Sequence, residues 1–118
     1  MSKITIYFNP RCSKCRSTLE LIQVRNKEVE IIHYLEQPPS RNRLIELVST
    51  LEDTPSDLIR RDLNFKNLGL NHDHCQTIEQ IVELLEQHPE LLQRPILVRG
   101  GSATIARSPE RVLEFISN

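Results

Sequence analysis

The sequence predicts a single α/β domain built around a mixed sheet, and three observations lead to this prediction. Short segments near both ends of the chain have the apolar pattern of strands, the middle has the pattern of helices, and a helical pattern also follows the first strand directly. The chain has 118 residues, of which 38% are hydrophobic, enough for one core and too few for two. We therefore predict one domain over residues 1–118.

The first part of the chain is predicted to form a strand, a helix and a second strand. Apolar side chains alternate along residues 4–8, which predicts a strand that Asn9-Pro10 ends. An apolar stripe at helical spacing then predicts a helix from about Ser13 to Arg25. A second strand is predicted over residues 29–34, so that the order is β-α-β.

The middle of the chain is predicted to be helical. Ser40 can cap a first helix, Thr54 begins a short second one with Pro55 at its first position, and Thr77 begins a third with a capping box. The three helices carry apolar residues at helical spacing: Leu44, Leu47, Val48 and Leu51 in the first, Leu58 and Ile59 with Arg60 in the second, and Ile78, Ile81, Val82 and Leu85 in the third. Together they form an insert over approximately residues 40–90.

The last part of the chain is predicted to be a β-hairpin followed by a helix. Residues 95–98 and 103–106 have strand composition and flank Gly100-Gly101, a pair that suits a tight turn. Ser108, followed by a proline, can cap a final helix. The complete order, β-α-β, helical insert, β-β-α, is that of a thioredoxin-like fold with a helical insert before its closing hairpin.

Composition and charge argue against several classes of function. The chain has 15 Lys and Arg residues against 16 Asp and Glu residues, a net charge of −1. This balance favours neither a nucleic-acid partner nor a polybasic membrane surface. The N-terminus lacks an export-signal pattern, and no apolar run is long enough to span a bilayer, so we expect a cytoplasmic protein.

Two of the three cysteines stand three residues apart where the first helix is predicted to begin. Unpaired N–H groups and the positive end of the helix dipole stabilise a thiolate there, which makes Cys12 a candidate nucleophile. The same N–H groups can hold an oxyanion, and Arg11, Lys14 and Arg16 add positive charge nearby. One loop can therefore both bind a tetrahedral anion and attack it.

Other interpretations of the cysteines stay open at this point. Cys15 either packs into the core as a small apolar residue or acts as the redox partner of Cys12. A structural zinc site would need Cys75 with His72 and His74, whose crowding is not a usual ligand spacing, so we predict no metal site. Cys75 itself is expected to lie in a loop or at a helix edge.

Three arginines differ from the rest by their placement. Arg94 precedes Pro95 at the start of a predicted strand, Arg107 leaves the last predicted strand, and Arg60 ends the short helix. A guanidinium group binds a tetrahedral oxyanion through two parallel hydrogen bonds. Arg94 and Arg107 come from elements next to the predicted Cys12 loop, which makes them candidate anion ligands.

The chain resembles the glutaredoxin-coupled arsenate reductase family, ArsC. The resemblance runs in order through nearly the whole sequence, in the stretches ITIYFNPRCSKCRSTLELI, IIHYLEQPPSR, LIRRDLNFKNLGL, HPELLQRPILV and ARSPERVLEFI. It implies that Cys12 is the nucleophile and that Arg60, Arg94 and Arg107 bind the oxyanion and stabilise the transition state. Pro95 matches the cis-proline that thioredoxin-like proteins place opposite the active cysteine.

The resemblance also implies a reaction and its partners. Arsenate, or a similar oxyanion, would react with the Cys12 thiolate to give a thiol-arsenate adduct. Glutathione as co-substrate would attack that adduct, and glutaredoxin would resolve the mixed disulfide while arsenite leaves. No bound cofactor or metal is implied, and we expect a monomer.

Two positions depart from the family pattern and leave alternatives open. Phe8 stands where characterised members carry a histidine that helps to lower the cysteine pKa, and Cys15 stands where they usually lack a second cysteine. A Cys12–Cys15 disulfide would make the protein a general thiol-disulfide oxidoreductase. The Cys-x-x-Cys pair also resembles the switch of Spx-type proteins, non-enzymatic regulators that share the fold and bind the α subunit of RNA polymerase.

Overall fold

The computed structural model describes residues 3–117. Within them the chain forms strands and α-helices in the following order: β1 (Ile4–Phe8), α1 (Ser13–Val24), β2 (Val29–His33), α2 (Arg41–Thr50), α3 (Leu63–Asn67), α4 (Ile78–Gln87), β3 (Ile96–Arg99), β4 (Ser102–Ile105) and α5 (Pro109–Ile116). Three short 3₁₀ helices lie between α2 and β3: Pro55–Leu58, His72–Cys75 and Pro89–Leu91. None of the helices within residues 3–117 is long and apolar enough to cross a membrane.

The four strands form one mixed sheet in the order β2-β1-β3-β4. The parallel pair β1 and β2 sets Phe8 beside His33, while the antiparallel pair β1 and β3 sets Tyr7 beside Ile96. The antiparallel hairpin β3-β4 closes the sheet, with Gly100 at a φ of 59° in its turn. This is the thioredoxin-like arrangement that the order of elements predicts. Because β1 and β2 are parallel and β3 runs the opposite way, the segments that follow β1 and β2 and the segment that precedes β3 meet at one edge of the sheet.

Each face of the sheet is covered by a separate apolar core. On one face, Tyr7, Ile96 and Ile105 pack under the helical middle of the chain, with Leu47 of α2 and Val82 of α4 among their neighbours. On the other face, α1 and α5 pack side by side over the sheet and bury a second group of residues: Ile4, Ile6, Phe8, Cys15, Ile22, Leu97, Ala106, Val112 and Ile116. The Cys12 loop lies at the edge of this second core.

Three of the helix caps that the sequence predicts form as expected, whereas Thr54 makes no side-chain capping hydrogen bond at the start of Pro55–Leu58. Ser40 accepts a hydrogen bond from the Arg43 N–H, and Ser108 accepts one from the Arg111 N–H. Thr77 and Gln80 make the reciprocal capping box at the start of α4. Local sequence therefore fixes where these helices begin.

The largest errors of the sequence prediction lie in the middle of the chain. The predicted second helix is a single 3₁₀ turn, Pro55–Leu58, because Ile59 leaves the helix and pairs with Leu92 in an isolated antiparallel bridge. Arg60 therefore belongs to an extended segment, where its N–H donates to the Leu91 carbonyl at 2.7 Å. Helix α3, which Asp62 caps, was not predicted, since its five residues are too few to give a periodic pattern.

Smaller corrections concern the ends of elements. Leu51 is the C-terminal cap of α2, with extended backbone, and pairs with Ala103 of β4 instead of continuing the helix. Strand β2 stops at His33, so that Tyr34 begins the following turn. Both strands of the closing hairpin lie one residue from their predicted bounds. These ends are set by pairing between distant segments, which a local pattern does not contain.

Candidate active site

The Cys12 loop is a tight turn between the end of β1 and the start of α1. The Arg11 N–H donates to the side-chain oxygen of Asn9 at 3.0 Å, and the Cys12 N–H donates to the Asn9 carbonyl at 3.0 Å. Arg16 reaches back from the first turn of α1 and donates to the Pro10 carbonyl at 2.7 Å. These bonds hold Cys12 at the N-cap position of α1, where it has extended backbone.

The surroundings of Cys12 lower the pKa of its thiol. Partial burial of the sulfur opposes ionisation, but the N–H and thiol of Cys15, the Arg94 guanidinium and the Lys14 N–H outweigh it by stabilising the thiolate. The sulfur makes no regular capping hydrogen bond, so these groups act on the charge at close range without locking the side chain. Cys12 is half-buried and has the electrostatics of a nucleophile.

Cys15 lies one turn into α1 and is completely buried in the core that α1 and α5 share. Burial and the neighbouring Cys12 thiolate together raise the pKa of its thiol to about 12, against the opposing effect of the Asn9 backbone. Cys15 therefore stays protonated at neutral pH, and its S–H faces the Cys12 sulfur as a donor. The packing and redox roles that the sequence left open are compatible with this single position.

Arg94 is the arginine that the structure brings to Cys12. The Arg94–Pro95 peptide bond is cis, and Arg94 is half-buried just before β3. Its pKa is raised: burial works against its charge, but Tyr34 and the Cys12 sulfur, both able to carry negative charge, favour it more strongly. The guanidinium of Arg94 thus lies among Cys12, Cys15 and Tyr34.

Arg107 lies near the loop, but its guanidinium is bound by two carboxylates. Its Nη2 donates to Asp57 at 2.8 Å, and its Nε donates to Asp53 at 3.3 Å. Its backbone carbonyl accepts a hydrogen bond from the Lys14 side chain at 3.3 Å, which ties the end of β4 to the first turn of α1. Arg107 therefore lies beside the site, and its guanidinium is hydrogen-bonded to Asp53 and Asp57.

Arg60 lies in an extended segment that pairs with the part of the chain preceding β3. The pairing is antiparallel: the Gln93 N–H donates to the Leu58 carbonyl at 2.7 Å, and the Arg60 N–H donates to the Leu91 carbonyl at 2.7 Å. The Arg60 side chain is 37% exposed and its Nε lies 3.8 Å from Asp62. Arg60 faces solvent beside an acid, and no contact with Cys12 brings it into the group formed by Cys12, Cys15 and Arg94.

A cavity of about 590 Å³ opens beside the Cys12 loop, between the first turns of α1 and α5. It begins at the residue after Cys12, and its lining combines apolar side chains with two cationic ones, one acid and hydroxyls, among them Leu21, Ala106, Pro109, Lys14, Arg107, Glu20 and Ser17. A small molecule with an anionic group and a short apolar part fits these surroundings.

The remaining cysteine, Cys75, and the neighbouring His74 make local contacts in a 3₁₀ helix. Cys75 is buried, its thiol lies 3.9 Å from the Asn71 carbonyl, and burial raises its pKa. His74 uses Nδ1 to accept a hydrogen bond from the Asn71 N–H, which closes the capping box of a 3₁₀ helix. Within residues 3–117 no three His, Cys, Asp or Glu side chains are grouped so as to hold a metal ion.

Comparison with known proteins identifies the family of this chain. The model of the ArsC family matches residues 7–115. The chain belongs to the ArsC family. Proteins named arsenate reductase from Acidiphilium multivorum and Escherichia coli are each 39% identical over 117 residues, which cover 98% of this chain and 82% of theirs. A solved arsenate reductase from Vibrio cholerae is 34% identical, covers 98% of both chains and superposes with a TM-score of 0.83.

In this ArsC chain the sequence-based reasoning missed four residues that contact the Cys12 loop or its neighbouring arginines. Asn9 organises the Cys12 loop, Tyr34 lies beside Arg94, and Asp53 and Asp57 bind Arg107. The Asn9-Pro10 pair was interpreted only as the end of a strand. A carboxylate facing an arginine across 50 residues leaves no local signal.

Proposed function

We propose that this ArsC family member is an arsenate reductase in which Cys12 is the nucleophile. The observation that carries the proposal is the position of Cys12 at the N-cap of α1 with Arg94 beside it, which lowers the pKa of its thiol. A thiolate and fixed donors at one place match a reaction in which a tetrahedral anion is both bound and attacked. Similarity to proteins named arsenate reductase supports the choice of anion.

In the first step, the oxyanion binds between the N–H groups at the start of α1 and the Arg94 guanidinium. The Cys12 sulfur attacks arsenic, a sulfur–arsenic bond forms, and one arsenate oxygen leaves as water after taking up protons. Arg107 and Arg60 join the anion as further ligands when their present acidic partners release them. Removing one fixed donor of this kind typically costs about 100-fold to 1000-fold in rate.

In the second step, glutathione enters through the cavity beside α1 and its thiol attacks the Cys12 adduct. A disulfide forms between Cys12 and glutathione, two electrons pass from the sulfurs to arsenic, and arsenite leaves. Glutaredoxin then exchanges with this disulfide and restores the Cys12 thiol. The cationic Lys14 at the cavity wall suits a carboxylate of glutathione.

The proposal is tested by measuring arsenite formed from arsenate with glutathione and glutaredoxin. We expect turnover by the wild-type protein, loss of turnover in Cys12→Ser, and unchanged turnover in Cys75→Ser, which removes a thiol from the opposite core. No arsenite from the wild-type protein, or full activity of Cys12→Ser, would reject the proposal.

A second candidate is a thiol-disulfide oxidoreductase, and the contact between the two sulfurs favours it. Oxidation of Cys12 and Cys15 to an internal disulfide would pass two electrons to an oxidised partner protein. Mass spectrometry after mild oxidation should then find the Cys12–Cys15 bond and leave Cys75 reduced. A mixed disulfide of Cys12 with glutathione, without the internal bond, would favour the arsenate reductase instead.

A further inference from the structure

Tyr34 is a buried phenol at the site that the proposed mechanism does not use. Its side chain is 0% exposed, yet its hydroxyl makes no regular hydrogen bond with any group in residues 3–117. A buried hydroxyl without a partner is costly and rare in folded proteins. The Tyr34 hydroxyl therefore calls for a partner among the groups that surround it.

The sheet register places three residues side by side at the edge of the sheet where β1 and β2 end and β3 begins. Phe8 pairs with His33, so the next residues along the parallel strands, Asn9 and Tyr34, are neighbours. Tyr7 pairs with Ile96 in the antiparallel direction, so Asn9 also lies at the level of Arg94. The order across the sheet edge is Tyr34, Asn9, Arg94.

The groups around the Tyr34 hydroxyl are complementary to it. They are the Asn9 side chain, the Arg94 guanidinium and the Cys15 thiol. Arg94 has only donors, and the Asn9 oxygen accepts from the Arg11 N–H at 3.0 Å and keeps a second lone pair. A phenol can therefore accept from Arg94 through its oxygen and donate its proton to Asn9, and bonds at catalytic sites commonly tighten when substrate binds.

We propose that Tyr34 is a positioning residue that joins the Cys12 loop to Arg94. Its O–H donates to Asn9, its oxygen accepts from Arg94, and the guanidinium is thereby held towards the Cys12 sulfur and the oxyanion. Tyr34 acts through Arg94 and does not itself react. This inference rests on the proposed function for its role in arsenate binding, but its effect on Cys12 is independent of any substrate.

The chain supplies a matched control in Tyr7. Tyr7 is 1% exposed, lies on the same face of the sheet, and also has a hydroxyl without a hydrogen bond in the described residues. Its charged neighbours are Arg43 and Glu46 of α2 and Glu30 of β2, none of which belongs to the Cys12 site. Tyr7→Phe and Tyr34→Phe thus remove the same atom from the same core at two places.

The experiment measures the rate of Cys12 alkylation by iodoacetamide against pH, with Cys12 followed by peptide mass spectrometry. The titratable and charged groups that face this loop stay the same in every variant apart from the one replaced: Arg11, Lys14, Cys15, Arg16, His33, Tyr34, Arg94 and Arg107. We expect Tyr34→Phe to raise the midpoint by about 0.5 pH unit, and Tyr7→Phe to leave it unchanged. In an Arg94→Ala background, Tyr34→Phe should have no further effect.

A second readout is the protection of Cys12 from alkylation by arsenate. Tyr34→Phe should need about fivefold more arsenate for half-protection than either wild type or Tyr7→Phe. Absence of protection in wild type would reject arsenate as the ligand. The role of Tyr34 would then be tested by the pH midpoint of Cys12 alkylation alone. An unshifted midpoint in Tyr34→Phe, an equal shift in Tyr7→Phe, or a further shift in the Arg94→Ala background would each overturn the role of Tyr34.

Discussion

The Arg107 guanidinium donates from Nη2 to the Asp57 carboxylate at 2.8 Å, although the family resemblance assigns that arginine to the oxyanion. Asp57 lies in the 3₁₀ turn Pro55–Leu58, so a carboxylate from the middle of the chain occupies donors at the end of β4. Both groups are partly exposed, with side-chain exposures of 46% and 39%, so the pair can open at small cost. An arriving anion must compete with Asp57 for Arg107.

Asp57→Asn should therefore strengthen oxyanion binding. The amide is a weaker acceptor for a guanidinium than the carboxylate, so Arg107 is released to the anion, and one negative charge near the site is lost. We expect the arsenate concentration that half-protects Cys12 from alkylation to fall by about threefold to tenfold. Glu86→Gln is the control, since it removes the same charge from a surface pair with Arg41 at 3.0 Å outside the site. Unchanged or weaker protection in Asp57→Asn would contradict the competition.

Replacement of Cys15 should make the Cys12 thiol less acidic. Cys15→Ala removes the S–H that faces the Cys12 thiolate, so the alkylation midpoint of Cys12 should rise by about 0.5 to 1 pH unit. Cys15→Ser keeps a donor and should lie between alanine and wild type. Cys75→Ala, which removes a buried thiol from the other core, should leave the midpoint where it is. Identical midpoints for Cys15→Ala and wild type would mean that Cys15 only packs.

Phe8→His should lower the pKa of Cys12 at the expense of stability. Phe8 is 7% exposed in the core that includes Cys12, and its ring meets His33 edge-on at 5.7 Å. A protonated imidazole there would favour the thiolate, so the alkylation midpoint should fall by up to about 1 pH unit. Burying a polar ring should cost about 1 to 3 kcal/mol in urea unfolding. Phe65→His, equally buried in the other core, should lose stability without moving the midpoint.

Asp53 should make the fold sensitive to acid. Its side chain is 4% exposed, and burial opposes its charge, but hydrogen bonds from the Ile105 N–H, Arg111 and Arg107 hold its pKa below the usual value. A carboxyl with a lowered folded-state pKa contributes stability above its unfolded pKa of about 3.9, and this contribution disappears as pH falls through the folded value. Asp53→Asn should therefore unfold about 1 to 3 kcal/mol more easily at neutral pH.

The pH dependence distinguishes this effect from simple loss of packing. The difference in unfolding free energy between wild type and Asp53→Asn should begin to narrow below about pH 4, where Asp53 of the unfolded chain becomes protonated, and should level off once pH falls below the lowered pKa of the folded state. Asp73→Asn, which changes an exposed acid, should follow the wild-type curve at every pH. A constant difference down to the acid limit would show that the charge of Asp53 contributes nothing to stability.

Much of the fold follows from local sequence. Helices α4 and α5 begin where their capping residues place them, because a cap acts within four residues of the helix that it starts, and Asn9-Pro10 separates the first strand from α1. The position of Cys12 at the start of α1 is equally local. The sequence alone therefore determined the fold class and the place of the candidate nucleophile.

The arrangement around Cys12 was decided by tertiary structure. Arg94 reaches Cys12, and Tyr34 lies beside Arg94, because β1 pairs with β2 on one side and with β3 on the other. Arg107 turns to Asp57 because the middle of the chain folds back over β4. These contacts join segments that are 50 or more residues apart, so no periodicity or motif encodes them, and only the sheet register and the packing of the insert fix which charged groups meet the thiol.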